Sequence, residues 1–263
     1  MDIPFDLLKI VASFLIKPRM KLLDWILEDK LNWRYLSANP NAIHMLEKHP
    51  EKMIWSLLSY NRNAIHILEN NLDKINWDYL SANGNAIHLL TKNPEKIDWS
   101  WLSRNLNAMH ILEKHPEKID WRYLSLNPNA IHILENNLDK INWNYLSGNP
   151  NALHLLTKHP EKINQQTLSE NSSAIHMLEK HPEKIYWNRL SLNSNATHLL
   201  EKHPEKIYWK YLSENINAIH ILKAYPDEIN WNGLSLNSSI FEFDIEQTKL
   251  DVFKKANCID FNL

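Results

Sequence analysis

NPNAIHMLEKHPEKM, residues 39 to 53, decides the fold, because the chain rewrites this phrase at a fixed interval of 22 residues. Asn39, Asn61, Asn83, Asn105, Asn127, Asn149, Asn171, Asn193, Asn215 and Asn237 all fall on that interval. Leu36 and Ser37 keep the same register through Leu234 and Ser235, and a tryptophan recurs from Trp33 to Trp231 with Gln165 as its one departure. A unit this short cannot bury its apolar face alone, so ten copies in register predict a solenoid in which each unit packs on its neighbours.

Each unit reads as two helices. Asn39 is placed to cap the first turn of the longer one, with Pro40 pre-set for the first helical position. Helical projection puts Ala42, Ile43, Met45 and Leu46 on one face and Asn41, His44, Glu47 and Lys48 on the other. Pro50 removes an amide donor and ends the helix. A short second helix follows, capped by residues such as Asn76 or Asp98, with Trp77 or Trp99 next and a leucine one turn on; Ile97 with Leu102 has the spacing of a hydrophobic staple. A leucine-rich-repeat horseshoe also uses units of this length, but its strand pattern wants apolar residues where Arg122 and Asn129 stand. The expected fold is therefore all-α: an elongated α-solenoid of about ten two-helix units, each an α-helix plus a short α or 3-10 helix. In its NP and leucine placement it resembles leucine-rich-variant repeats.

Outside the repeats the pattern decays. Residues 1–30 read as an N-terminal cap with a degenerate first repeat, in which Pro18 and Lys30 keep register with Pro40 and Lys52. Residues 31–238 are the repeats. Residues 239–263 read as a C-terminal cap, with Ile240, Phe241 and Phe243 where AIHxL stood and with Val252, Phe253 and the FNL tail over the last layer. An open stack of ten units at about 8–10 Å each would present a surface roughly 100 Å long.

Composition narrows the function classes. Twenty-nine basic against 31 acidic side chains give a net charge of −2, which speaks against a phosphate-gripping protein. Three glycines leave no Gly-rich phosphate loop. A single cysteine, Cys258, fits a reducing compartment. The first residues carry Asp2 and Asp6 where a secretion signal needs basic charge, and 44% apolar with 23% charged residues fits a folded chain without a membrane span.

Two resemblances add to this. KLLDWI at 21 to 26, the phrase NPNAIHxLEKxPEKIDWxxLS and SIFEFD at 239 to 244 resemble tandem-repeat proteins of giant DNA viruses of the mimivirus and algal-virus kind. That resemblance covers nearly the whole chain and implies a viral protein in a host cytoplasm or virion, with no defined activity attached. IPFDLLKIVASFL at 3 to 15 resembles the opening helix of an F-box, which implies docking of residues 2–16 onto a ubiquitin-ligase adaptor. The match covers only about a third of such a module of ~45 residues, since repeat-like sequence begins soon after.

Candidate binding residues fall into two groups. A histidine ladder, His44, His66, His88, His110, His132, His154, His176, His198 and His220, projects onto the polar face. Its rings should lie too far apart to share a metal, and hydrogen bonds to a neighbour's Asn or Ser are the plain structural expectation. Part of this regularity is recent copying, because ENNLDKIN at 69 to 76 returns at 135 to 142. His49, His115, His159, His181 and His203 precede the helix-ending proline without zinc spacing. The tryptophans read as a packing seam rather than a stacking platform for bases. The second group varies between units: the position of Arg34, Arg122 and Lys210, and the position of Tyr60 and Arg104, change side chain on a constant scaffold, which is how repeat proteins diversify a binding surface. No nucleophile with its base and no cofactor motif stands out. The expectation is a non-enzymatic protein-binding scaffold without cofactor, metal or membrane partner. A ubiquitin-ligase adaptor and a modular single-stranded RNA binder are the alternatives.

Overall fold

The computed structural model describes residues 19 to 251. The helix expected over residues 2–16 with its F-box resemblance, Cys258, Val252, Phe253 and the FNL tail lie outside the described residues.

Every unit follows one path. A short helix opens on the recurring tryptophan, from Trp33–Leu36 to Trp231–Leu236. Where Asn or Asp precedes it the helix is capped as the sequence predicts, with Asp98 accepting from the Trp101 amide and Asn76 from the Tyr79 amide; Ile54, Tyr186 and Tyr208 give no such cap. The conserved-register asparagine comes next, then a second helix such as Ile43–Lys48, then a 3-10 turn such as Pro50–Lys52 leading to the next tryptophan. One boundary differs from expectation. The Asn39 side chain does accept from the Asn41 amide at 3.0 Å, but Ala42 sits at φ −87°, ψ 1°, so a tight turn intervenes and the helix begins at Ile43. The proline has a double role: it stops one helix and starts the 3-10 turn, where its missing amide costs nothing.

Units are joined by hydrogen bonds from two buried polar residues. The Asn61 carboxamide donates to the Ser37 and Asn39 carbonyls of the preceding unit, at 3.0 and 2.9 Å. Ser37 donates to Trp33 O and accepts from the Ile54 amide. The same set repeats along the chain, and the ladder asparagines and serines are 0–2% exposed. Between these bonds run two columns of fully buried leucines, Leu36 with its equivalents and Leu46 with its equivalents, and a column of alanines from Ala42. Each leucine burial is worth about 1.5–3 kcal/mol. Removing Asn61 would strand the buried Ser37 carbonyl, at a cost of about 1–3 kcal/mol, whereas the Asn39 carbonyl keeps the Ala42 amide.

The all-α solenoid of 22-residue two-helix units is as expected, but its elongation is corrected: the solenoid closes on itself. Asn39, in the first unit, donates to the Ser235 and Asn237 carbonyls of the tenth, at 2.9 and 3.1 Å. The Asn32 amide donates to Ser235 Oγ as the Ile54 amide does to Ser37. Lys30 lies over Trp231 as Lys52 lies over Trp33. In the last unit strand β2 (Phe241–Phe243) stands where the second helix would begin and pairs antiparallel with strand β1 (Met20–Leu22), Lys21 facing Glu242; helical backbone resumes at residue 245. Lys21 and Glu242 form an ion pair at 3.0 Å, Arg19 pairs with Asp251 at 2.7 Å, and Phe241 is buried. The segments read as separate caps therefore meet and complete one shared unit, which ties the two parts of the chain together. The cause is a wedge shape. Successive tryptophan-bearing helices approach closely, whereas successive outer helices stand wider apart, and about 36° of turn per unit closes a ring at ten. The tryptophan-bearing helices thus form an inner wall and the histidine-bearing helices an outer circumference.

Closure has a covalent test. With Cys258 replaced by Ser, the pair Lys21→Cys and Glu242→Cys is expected to oxidise into one intramolecular disulfide that speeds migration in non-reducing electrophoresis. An open solenoid would hold these positions far apart and give no such band.

Candidate functional site on the inner wall

The histidine ladder and the variable positions lie on opposite sides of the wall. On the outer circumference six ladder histidines bond a glutamate of the preceding unit, not the Asn or Ser expected. His66 pairs with Glu47, His88 with Glu69, His132 with Glu113, His154 with Glu135, His198 with Glu179 and His220 with Glu201, at 2.7–2.9 Å. His110 and His176 follow units that carry Thr91 and Thr157 at that place. These exposed pairs contribute little each, and their regularity is that of a fastening between neighbours. His44 differs: it sits edge-on to Phe241 at 5.7 Å, beside the strand pair that closes the ring. Burial, reinforced by Lys48, holds its imidazole below the ordinary value of 6.5.

The tryptophans pack against the core and are covered by the 3-10 turn that closes their own unit. Lys52, Lys74, Lys96, Lys140, Lys162 and Lys206 lie 4.2–4.7 Å from the ring centres of Trp33, Trp55, Trp77, Trp121, Trp143 and Trp187. His49, His115, His159 and His203 meet Trp33, Trp99, Trp143 and Trp187 edge-on at 4.9–5.2 Å. The second histidine series is thus a cover for tryptophan. Where Gln165 replaces the ring, its helix and the flanking asparagine bonds persist.

The variable residues stand on the inner helices. Arg34, Arg122 and Lys210 are exposed near the helix starts, and Tyr60 and Arg104 are exposed at the ends. Arg122 reaches back to Asp120 at 2.8 Å, and that bond holds the Asp120 carboxyl below the usual carboxylate range. Between them the structure adds a third variable position that the sequence reading passed over: Tyr35, Leu57, Tyr79, Trp101, Tyr123, Tyr145, Thr167, Arg189, Tyr211 and Gly233. Its signal was available, since this place, two residues after the recurring tryptophan, is tyrosine in five units and varies in the others, but half-burial cannot be read from identity.

These positions give the wall two unlike arcs. From Tyr79 through Trp101 and Tyr123 to Tyr145, neighbouring rings follow at 5.3, 6.2 and 6.1 Å. The other arc carries acids: Glu170 pairs with Arg189 at 2.7 Å, and Glu214 packs over Gly233, where a Cβ would lie 2.9 Å from the Lys210 carbonyl. Burial raises both carboxyls above the usual range, opposed by Arg189 and Lys210 respectively. Ten steps of about 6 Å make a circle of ring centres roughly 19 Å across, and the van der Waals bulk of the rings reduces the opening to the order of 10 Å. Among the described residues no cluster of three or more His, Cys, Asp or Glu is placed to hold a metal ion, and no helix is long and apolar enough to cross a membrane.

Two measurements follow. Gln165→Trp restores a ring beneath Lys184 and beside His181, and is expected to stabilise the ring by about 1 kcal/mol, read as a higher melting temperature. For His44 the folded-state value lies below the unfolded one, so the stability it supports is complete above pH 6.5 and is lost as pH falls through the folded-state value. His44→Phe is therefore expected to show a smaller drop in melting temperature between neutral pH and pH 5 than the unaltered chain. Comparison with protein-family models, curated proteins and solved structures gives no match, so the ring's own geometry carries the functional argument.

Proposed function

We propose that the ring is a non-enzymatic scaffold that holds protein partners on its inner wall. One observation carries this reading. Leucine, serine and asparagine recur unchanged to build the wall, while the three positions that face the opening, represented by Arg34, Tyr35 and Ala38 in the first unit, vary among the units. A constant frame with changing exposed side chains is a surface free to be fitted to a partner. Exposed aromatics beside arginine are also the composition of protein-binding patches.

The RNA alternative draws on the same aromatic row but needs a basic surplus along it. Arg34, Arg104, Arg122, Arg189 and Lys210 are matched in number by Asp78, Asp98, Asp120, Glu170 and Glu214 on these helices and their caps. That balance favours a protein partner. The adaptor alternative rests on residues 2–16, outside the described residues, and would add a docking arm to the same scaffold. The viral resemblance makes host or viral cytoplasmic proteins the partners to search for.

Photo-crosslinking groups at Tyr123 on the inner wall and at His132 on the circumference separate the surfaces. In infected or host-cell extract the Tyr123 position is expected to capture a discrete partner and the His132 position to capture none. Capture only from the circumference would reject the inner wall as the binding surface.

A further inference from the structure

Between the outer helices Ile87–Lys92 and Met109–Leu112 the circumference opens into a cavity of about 300 Å³. One change of residue opens it. In six units a glutamate at the place of Thr91 bridges to the next unit's histidine. Thr91 instead donates its hydroxyl to the His88 carbonyl at 3.1 Å, and His110 makes no ion pair among the described residues. The cleft is left without a bridge. Pro94, Ile97, Trp99 and Ile111 line it. Lys118 keeps the register of Lys52 and Lys74, yet among the described residues it does not lie over Trp99 as they lie over Trp33 and Trp55. Thr157 repeats the missing bridge three units on, but Gln165 stands there where Trp99 stands here. Of the two gaps, one has an aromatic lining.

We infer that this cavity binds a small aromatic carboxylate, a single ring carrying a short acid arm. The inference is independent of the reading of the inner wall. Volume sets the size: a dry cavity of about 150 Å³ admits benzene, so twice that space takes one ring and a few atoms more. Charge sets the acid. Lys114, His110 and His115 line the cavity and no carboxylate does. The surroundings agree, since Lys92, Lys96, Lys114 and Lys118 stand against Glu95, Glu113 and Glu117. Of those acids Glu113 is bonded to His132 at 2.8 Å and Glu117 lies 3.8 Å from His115. An apolar body with one anionic end complements such a lining, because the ring is removed from water while the acid meets an ammonium. The neighbouring clefts set the limit. His88 with Glu69 on one side and His132 with Glu113 on the other close them at 2.8 Å, so the occupant is a free small molecule and not a chain running along the circumference.

The test titrates the full chain with phenylpropionate by calorimetry, beside its neutral amide, phenylpropylamine and acetate. The acid is expected to saturate one site per chain below about 5 mM, with the amide at least about fivefold weaker and the amine and acetate not binding. Trp99→Gln, a change the chain carries naturally at Gln165 with its helix intact, should weaken the acid by at least about fivefold. Lys114→Gln should do the same and leave the amide unchanged. Thr91→Glu installs the residue of six other units; it should bridge to His110, keep the melting temperature and abolish binding. Lys180→Gln, beside the gap at Thr157, should change nothing. No saturable binding by the acid, equal or tighter binding of the amide or the amine, or unchanged affinity in Thr91→Glu or Trp99→Gln overturns the inference.

Discussion

The buried asparagine of each unit is the interaction on which everything else depends. Its carboxamide donates twice to carbonyls of the unit before it and accepts once from its own turn, so one side chain both shapes its unit and seats it on its neighbour. A carboxamide offers two donors and a carbonyl acceptor, and here both donors and the acceptor are engaged away from water. The serine two residues earlier does the same on a smaller scale, tying its own helix end to the next unit's first amide. These bonds recur at every step and so hold the angle between units nearly constant, and at this angle the tenth unit meets the first.

Closure changes what the molecule can offer. An open solenoid has two free ends and one long surface; a ring has an inside and an outside that cannot exchange roles. The inside is the tighter side, built from helices of four to six residues whose exposed positions vary along the ring. The outside is fastened by histidine–glutamate pairs that recur between neighbouring units. Variation and constancy are thus sorted onto opposite sides of the wall.

The seam is where the chain departs from its own rule. The start of one helix is replaced by two strands of three residues, one from each end of the described chain, with Leu22 opposite buried Phe241 and a lysine opposite a glutamate. His44 borders this junction and loses favour for its charge through burial there. Joining distant segments in one unit brings a contact of high sequence separation into the fold, with a larger loop-closure cost than any contact between neighbouring units.

By itself the sequence determined the unit: its length, its two helices, the capping asparagine and aspartate, the stop at proline and the leucine columns, because these are set by local geometry and by period. It also marked Arg34, Tyr60, Arg104, Arg122 and Lys210 as places of change. It did not reveal that Phe241 and Leu22 are partners, that Glu47 rather than Asn or Ser meets His66, or that Tyr35 and its equivalents look into an opening. Those facts depend on the angle between neighbouring units. A small error in that angle accumulates over ten steps into either a spiral or a ring, and no single unit contains the information to choose. Only the tertiary structure, in which Asn39 takes the same grip on the tenth unit that Asn61 takes on the first, decided that the chain is closed and which side chains share its interior.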